Sequence, residues 1–365
     1  MCTIKSTMSV ESVIKLHPKV QKADQLDAQG LFDDAINELA LATQAGDLEA
    51  KLRLGKRLLS GLNAPYLPHD GASFILEANQ QGSAEAAALS SMLYGAGIVS
   101  ARNWTQAIQA LATAAARGWL PAQEQLTVLL SPSNTAKVLF SPRSKQDWRG
   151  AIEYFDLESW LQVPAAVTVH ADPLLRSFPN LISPVVCERL INLSRKRLQR
   201  AEVYDPHHQR NIRASSRTNS IAQFALLDHE LMHLLLQEKM ARACGVQATQ
   251  MEATAILHYS PGEEITNHFD FVDPQLPNYA DEILRNGQRI ITFLVYLNDD
   301  FAAGETIFPR LGIKHKGRQG EGFFFVNCLP GQEPDLRTWH AGSPPQNSNK
   351  WIVSQFIRNH PIARF

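Results

Sequence analysis

Apolar positions along the chain follow two different periods. In the first third they recur at helical spacing, as at Ala50, Leu54 and Leu58, within an Ala- and Leu-rich pattern. From about Pro164 onward, short runs of β-branched and aromatic residues replace this pattern. Runs of this kind predict buried strands at 290–297, 322–327 and 351–357. The chain is therefore expected to combine a helical N-terminal part with a β-rich C-terminal part.

The helical part carries an internal repeat with a period of 36 residues. Gly46, Gly82 and Gly118 mark the period, and an Ala follows each of them four residues later. Upstream positions keep the same phase: Ala42, Ala78 and Ala114, and Leu39, Ile75 and Leu111. Small residues at fixed phase let two helices approach closely, and the glycine ends one helix before the next begins. This pattern resembles the Sel1-like branch of the tetratricopeptide superfamily and predicts an α-solenoid of about three helical hairpins over residues 18–130.

A solenoid of this kind has two roles open to it. It can be a passive scaffold that stabilises the rest of the chain. It can also be a docking surface, because stacked helical hairpins present a concave groove that suits peptides. We expect docking of a peptide or protein on the repeats.

Composition and charge exclude several classes of protein. The chain has 365 residues, with 35 Lys and Arg against 36 Asp and Glu, and this near-neutral balance argues against a dedicated nucleic-acid binder. The four cysteines show no C-x-x-C spacing, so neither a disulfide framework nor a zinc site is indicated. No segment has the length and apolarity of a membrane span, and the N-terminus lacks the features of a secretory leader. We therefore expect a cytoplasmic protein.

A His-x-Asp pair, a distant His and a later Lys form the strongest chemical signal. A strand would place His268 and Asp270 on the same face, because strand side chains alternate with period 2. With His340 they supply two imidazoles and one carboxylate, a set that suits iron(II) and leaves one face of the metal open for a co-substrate and dioxygen. Lys350 adds a fixed cation for a carboxylate of the co-substrate. These residues predict a 2-oxoglutarate-dependent iron(II) oxygenase.

A His-x-Asp pair alone occurs by chance in many chains, so the surrounding motifs matter. Several segments between about Phe178 and Arg358 resemble motifs of the prolyl 4-hydroxylase family, in the order that the family has them. They are R-A-S-S at 213–216, Y-S-P-G-E-E-I-T-N-H-F-D-F at 259–271, the strand-like 288–298, G-E-T-I-F-P at 304–309, H-A-G-S-P at 340–344 and K-W at 350–351. The resemblance covers about half of the chain.

The resemblance implies a role for each matching residue. The iron ligands would be His268, Asp270 and His340. The residues that bind the far carboxylate of 2-oxoglutarate would be Lys350, Tyr259 and Thr306. Arg289 stands where the family has a substrate-contacting Arg. The implied cofactors are Fe(2+), 2-oxoglutarate and O2, with ascorbate as a candidate reductant.

The departures from the family pattern fall on the substrate side. Ile265 replaces a Tyr three residues before the first His, and Phe356 stands where a Trp is usual. Both changes remove a polar hydrogen-bonding group from the expected pocket. The segment 273–287, directly after the first two ligands, is either a lid over the substrate or a long connection between strands.

The predicted architecture is an α+β multidomain protein. An α-solenoid of Sel1- or tetratricopeptide-like helical hairpins (18–130) precedes a turn-rich linker (131–165) and a double-stranded β-helix, or jelly-roll, dioxygenase domain (166–365). A helix at 226–243 is expected to back the jelly roll. Outside the ligand set, His258 is expected to be a core histidine or one that supports the ligands, the pair His207-His208 to lie in a loop, and His315 to be exposed.

Three functions remain open from the sequence. The first is hydroxylation of an unactivated C–H bond in a prolyl or similar residue of a peptide or protein. The second is hydroxylation of a free amino acid or small peptidic metabolite, which the changes at Ile265 and Phe356 would permit. The third is a non-catalytic binding protein that works through its helical repeats.

Overall fold

The computed structural model describes residues 16–98, 100–131, 147–205, 210–276 and 279–362. The turn-rich stretches of the expected linker fall at 131–134 and 141–144 and, apart from residue 131, lie outside the described residues, as do His207-His208 and Pro277. No helix among the described residues is long and apolar enough to cross a membrane.

Seven helices lie among the described residues 16–98 and 100–131 of the N-terminal part. They are α1 (Pro18–Ala28), α2 (Phe32–Gln44), α3 (Leu48–Ser60), α4 (Pro68–Gln80), α5 (Ala84–Ala96), α6 (Trp104–Ala116) and α7 (Leu120–Leu129). Helices α2, α4 and α6 begin 36 residues apart, and so do α3, α5 and α7. Gly46, Gly82 and Gly118 adopt φ values of 87°, 103° and 89° between the paired helices, a region that favours glycine. The repeat prediction is confirmed: three helical pairs follow a leading helix.

Two glycines inside helices bring α3 and α4 into backbone contact. A Cβ atom on Gly71 would lie 2.4 Å from the Leu59 nitrogen and 2.7 Å from the Gly55 carbonyl oxygen. A Cβ atom on Gly55 would lie 2.9 Å from the Gly71 carbonyl oxygen. Only glycine fits at this crossing, so both glycines are required for the stacking of the first repeat on the second.

Five further helices lie among the described residues after 131. They are α8 (Trp148–Ala151), α9 (Leu157–Leu161), α10 (Pro184–Arg195), α11 (Leu231–Cys244) and α12 (Tyr279–Asn286). The helix predicted at 226–243 therefore begins later than expected, after a separate 3-10 turn at Leu226–Asp228.

The strands of the C-terminal part are short and antiparallel. They are β1 (Val167–His170), β2 (Leu175–Phe178), β3 (Gln199–Arg200), β4 (Val203–Asp205), β5 (Arg210–Ile212), β6 (Ser220–Gln223), β7 (Ala255–Tyr259), β8 (Ile265–His268), β9 (Arg289–Tyr296), β10 (Ala302–Ala303), β11 (Thr306–Phe308), β12 (Ile313–His315), β13 (Gly322–Val326), β14 (His340–Gly342), β15 (Pro345–Gln346) and β16 (Lys350–Arg358). A major sheet has the order β1-β2-β13-β9-β16-β7-β6-β3, and a minor sheet has the order β12-β11-β14-β8. Two further two-stranded sheets, β4-β5 and β10-β15, lie among the described residues. Two facing antiparallel sheets are the layers of a jelly roll, so the predicted fold class is confirmed.

The two faces of the major sheet pack against different partners. Outward-facing residues such as Phe293 and Val353 share one core with α10, α11 and the last repeat helices. Inward-facing residues such as Tyr296 and Ile352 pack in a second core with the minor sheet residue Phe308. Side chains alternate between these cores along β9 and β16, as the strand period requires.

The repeats join the jelly roll through α10 and α11. The Met232 backbone N–H donates to Gln125 Oε1 at 3.0 Å, and the Arg189 guanidinium binds both Glu124 and Glu230. The repeats therefore lie behind the major sheet, on the side away from the minor sheet.

The expectation that His315 is exposed is wrong. Its ring stacks on Phe323 with centroids 4.0 Å apart, and its Nε2 lies 2.9 Å from Glu321 Oε1. Pairing of β12 with β11 brings the residue to the inner core, a long-range contact that the local basic sequence did not indicate.

Candidate metal centre

Two neighbouring strands of the minor sheet bring the predicted ligands together. His268 ends β8 and His340 begins β14, and the two residues are paired across the strands. Asp270 follows two residues after His268, and its oxygens lie 3.4 Å from Nε2 of each histidine. One ligand atom from each of the three residues lies within 4.8 Å of the others.

Hydrogen bonds orient all three side chains. Nδ1 of His268 lies 2.8 Å from the Thr266 carbonyl oxygen, and Nδ1 of His340 lies 3.0 Å from that of Thr338. Each Nδ1 therefore carries the proton, which leaves the Nε2 lone pair directed at the shared centre. On the other side of the centre, the hydroxyl of Thr292 donates to Asp270 Oδ2 at 2.8 Å.

Thr292 was not identified from the sequence. It is the inward residue of β9 nearest Asp270, and Asn327 Nδ2 in turn donates to its hydroxyl at 2.9 Å. A polar residue within the apolar run 290–297 was the available signal. A buried hydroxyl that orients a ligating carboxylate is a usual feature of metal sites.

The carboxyl of Asp270 is ionised in this setting. Burial alone would raise its pKa, but the neighbouring imidazoles of His340 and His268 outweigh burial and hold the pKa well below its ordinary value. The centre thus offers two imidazole nitrogens and one carboxylate oxygen from one side. This donor set and its convergence fit a divalent metal with open positions opposite the protein, as iron(II) requires.

Lys350 is the second unusual charge of the site. The side chain is 1 % exposed, and Nζ donates to the Gly304 carbonyl oxygen at 2.7 Å. Among the described residues no carboxylate forms an ion pair with it, because the nearby Glu305 carboxylate accepts from Ser343 instead. Burial lowers the pKa of the amine to about 7, against a smaller raising effect of Glu305. A buried amine without an acidic partner indicates a place for an anion from outside.

Tyrosines and a threonine surround this amine. The Lys350 Nζ lies 5.2 Å from the ring centre of Tyr259 and 5.7 Å from that of Tyr296. The Tyr259 hydroxyl comes within 3.7 Å of the position of a Cβ on Gly342, which pairs with Thr306 across the minor sheet. The structure thus brings Tyr259 and Thr306 together with Lys350, as the resemblance implied. It adds Tyr296, whose hydroxyl lies 2.9 Å from Thr306 Oγ1.

Arg289 lies on the wall of a cavity beside His268, but its guanidinium is already engaged. Its Nε and Nη2 donate to Glu252 at 2.7 and 2.9 Å, and its plane lies 4.0 Å from the ring centre of Phe356. Phe356, the replacement for the usual Trp, therefore stacks on the arginine. Glu252 also holds Arg358 and was not identified from the sequence.

The cavity has a volume of about 720 Å³. The lining residues come from the ligand segment, from α12 and from the start of β9 and β14: Asn267, His268, Phe269, Phe271, Val272, Asp273, Leu276, Tyr279, Glu282, Arg285, Arg289 and Trp339. Part of segment 273–287 thus forms a helix on the cavity wall. Glu282 of this helix accepts a bond from Arg358 Nη2 at 2.6 Å, which ties the helix to the major sheet.

Comparison with known proteins agrees with this geometry. Residues 254–358 match the sequence model of the 2OG-Fe(II) oxygenase superfamily. The prolyl 4-hydroxylase subunit alpha-1 of Gallus gallus is 29% identical over 185 residues, which cover 51% of this chain and 36% of that protein. The chain therefore spans about a third of the length of that relative.

Two solved structures are similar to parts of this chain. A viral collagen prolyl hydroxylase from Paramecium bursaria Chlorella virus 1 is 24% identical, with a TM-score of 0.39, and covers 50% of this chain and 94% of its own. A Sel1 repeat protein from Oxalobacter formigenes is 20% identical, with a TM-score of 0.29, over 36% of this chain and 54% of its own. The family match at residues 254–358 contains His268, Asp270, His340 and Lys350. This part of the chain is a 2OG-Fe(II) oxygenase domain related to the prolyl 4-hydroxylases.

Proposed function

We propose that this chain is an Fe(II)- and 2-oxoglutarate-dependent dioxygenase that hydroxylates a prolyl or similar residue of a polypeptide. One observation carries the proposal: a convergent His268–Asp270–His340 centre lies in the same jelly roll as a buried Lys350 that has no acidic partner among the described residues. A metal site explains the first feature, and a dicarboxylate co-substrate explains the second. The same arrangement favours catalysis over a purely binding role.

The three ligands would hold iron(II) from one side. Their Nδ1 hydrogen bonds and the Thr292 contact keep the donor atoms aimed at one point before any metal arrives. Bound iron, with 2-oxoglutarate and dioxygen, supplies the oxidising power for hydroxylation, with release of succinate and carbon dioxide. The protein would position the substrate beside the metal and exclude water from the site.

The far carboxylate of 2-oxoglutarate would bind to Lys350. Its charge would be met by the ammonium, and its remaining acceptor sites by the hydroxyls of Tyr259 and Thr306. Tyr259 makes no hydrogen bond to another described residue through its hydroxyl, and burial raises the pKa of that hydroxyl to about 12. It therefore remains a donor at neutral pH.

The charges on the cavity wall favour a polypeptide over a free amino acid. A free amino acid would bring a carboxylate and an ammonium that each need a partner beside the metal. Arg289 donates through two nitrogens to Glu252, and Glu282 is paired with Arg358. These ion pairs leave Asp273 and Arg285 as the lining charges without an ion pair among the described residues, and a peptide residue, which lacks terminal charges, needs neither of them.

The helical repeats would hold a part of the polypeptide away from the reacting residue. Deleting the repeats is a poor test, because they share a core with α10 and α11. Hydrogen exchange of the intact protein is better suited. Added protein substrate should slow exchange in the repeats, and unchanged exchange there would contradict this role.

Succinate formation and oxygen gain test the central proposal. The protein is incubated with Fe(II), 2-oxoglutarate, ascorbate and prolyl peptides, beside an Asp270→Ala control. We expect succinate and a mass gain of one oxygen on peptide only with the unaltered protein. Succinate no higher than in the control would contradict the proposed chemistry. Faster oxidation of free proline than of peptides would favour the metabolite reaction instead.

A further inference from the structure

Aromatic side chains flank both histidine ligands on the cavity side. Phe269 lies between His268 and Asp270 in sequence, and Trp339 directly precedes His340. Their ring centres are 4.5 Å apart, and the Phe269 ring also stacks on Phe271 at 4.6 Å. We call Phe269, Phe271 and Trp339 the aromatic wall; all three line the cavity.

A guanidinium covers the aromatic wall from outside the cavity. The Arg310 carbon Cζ lies 5.6 Å from the ring centre of Phe269 and 5.7 Å from that of Trp339. Arg310 does not belong to the cavity lining, and its Nη1 donates to the Leu336 carbonyl oxygen at 2.5 Å. Its position is thus fixed by the loop that precedes Trp339.

We propose that the aromatic wall is the specificity-determining surface for the reacting side chain and selects a neutral, apolar one. This inference rests on the proposed function and names the class of residue that the site accepts. Aliphatic C–H groups pack well on π faces, and the ring of a prolyl residue or a branched aliphatic chain offers several of them at once. The cavity that the wall lines also includes His268, so a residue lying on the wall is held beside the metal.

Arg310 sets the charge preference of the wall. Aromatic faces attract cations, but these rings already bind one guanidinium. A second cation on the same rings would be repelled by Arg310 across a single ring thickness. A lysyl or arginyl side chain is therefore disfavoured, although bare aromatic rings would favour it.

Trp339 also carries a polar group that suits a peptide. Its side chain lines the cavity, and its indole N–H makes no hydrogen bond to any residue that the structure describes. The N–H is available to a carbonyl oxygen of a bound polypeptide backbone. Stacking and this donor can be separated, because phenylalanine keeps the first and removes the second.

Host–guest peptides test the proposal. The probes are acetyl-Gly-Ala-Xaa-Ala-Gly-amide peptides with Pro, Val, Leu, Lys or Glu at Xaa, and the variants are Trp339→Phe, Trp339→Ala and Arg310→Gln. Trp119→Phe, in the repeats, is the matched control. KM and kcat for the peptide are measured beside the peptide-independent turnover of 2-oxoglutarate.

The unaltered protein should oxidise neutral apolar guests in preference to Lys and Glu. Trp339→Ala should raise the KM of the best guest roughly 10- to 100-fold, and Trp339→Phe by less. Arg310→Gln should improve the acceptance of the Lys guest relative to the neutral ones. Trp119→Phe should behave as the unaltered protein.

Binding supplies a readout that does not depend on turnover. In protein labelled with 5-fluorotryptophan and loaded with Zn(II) and 2-oxoglutarate, the resonance missing from Trp339→Phe should shift when the best guest is added. A preference for a charged guest, or an unchanged KM in Trp339→Ala, would overturn the proposal. Absence of 2-oxoglutarate turnover in the unaltered protein would instead contradict the proposed function. The failure of this proposal and the failure of the proposed function are therefore distinguishable.

Discussion

The two faces of the major sheet are built from the same strands but follow different rules. On β16, Lys350 points into the jelly roll, and its neighbour Trp351 points out against Arg195 of α10. The outward face of β9 and β16 is apolar apart from Gln355, which is fully hydrogen-bonded to α11 and to the Glu252 backbone. The inward face buries an amine and several hydroxyls.

This difference separates stability from function within single strands. A buried polar group normally costs free energy unless it is paired. The outward face obeys this rule, whereas on the inward face Lys350 has no acidic partner in the part of the chain that the structure describes. We infer that outward residues set the free energy of unfolding and inward residues set ligand binding. The following experiments test that separation.

The largest effect is expected at a metal ligand. His268→Ala should abolish turnover and weaken metal binding by more than about 100-fold. Substitution of a residue that only supports a ligand already lowers metal affinity or activity ~10- to 100-fold. His268 is the most exposed of the three ligands, so the fold should survive. Calorimetric titration with Mn(II) checks this, with the exposed His69→Ala as control. Unchanged metal affinity would show that the centre is misassigned.

An outward substitution should reduce stability without changing co-substrate binding. Phe293 is fully buried and packs against the rings of Phe178 and Phe324. Phe293→Ala should lower the free energy of unfolding by about 3–5 kcal/mol, because it removes apolar contacts and leaves a cavity. Urea denaturation measures this loss, and the Kd of 2-oxoglutarate should stay constant in the folded protein. A large rise in that Kd would break the separation between the faces.

The inward counterpart should behave in the opposite way. Lys350→Met removes the charge from a buried position and keeps most of the volume. Its affinity for 2-oxoglutarate should fall roughly 10- to 1000-fold, the cost of a lost charge-assisted bond at a buried site. Its stability should stay equal or rise, because no unpaired amine remains to be buried. Anaerobic titration followed by absorbance decides this, and an unchanged affinity would place the anion elsewhere.

The smallest effect is a dependence of 2-oxoglutarate affinity on pH. Burial lowers the pKa of Lys350 to about 7 in the protein without co-substrate, and a bound carboxylate would raise that pKa. Between the two values binding takes up a proton, so affinity should be constant below pH ~7 and fall at most about tenfold per unit above it. Lys350→Met should show no such slope. A flat profile in both proteins would mean that Lys350 stays charged throughout.

Local sequence was sufficient for the repeats and for the ligand set. The period of Gly46, Gly82 and Gly118 reports contacts between neighbouring helices, so it is visible in the sequence. His268 and Asp270 are separated by one residue, and their partner His340 lies within a recognisable motif. These features depend on short spacings.

Features that depend on distant contacts were not predictable in the same way. The meeting of Gly55 with Gly71 requires the crossing point of two helices. The contact of Thr292 with Asp270 and the engagement of Arg289 by Glu252 join strands that are not adjacent in sequence. His315 was wrongly expected to be exposed for the same reason. The pairing of β12 with β11, which partly buries it, cannot be inferred from the residues next to it in sequence.

The repeats lie behind the major sheet, and this position limits how they could act on a polypeptide substrate that they bind. A polypeptide that reached the metal centre from the repeats would have to pass a helix layer and a sheet, each ~10 Å thick, which an extended chain spans with no fewer than about six residues. The repeats would then act as a tether that raises the local concentration of reactive residues to roughly the millimolar range. A tethered chain with several acceptor residues could present them in succession without dissociating. Such processive modification is the behaviour that this separation of anchor and reaction centre favours.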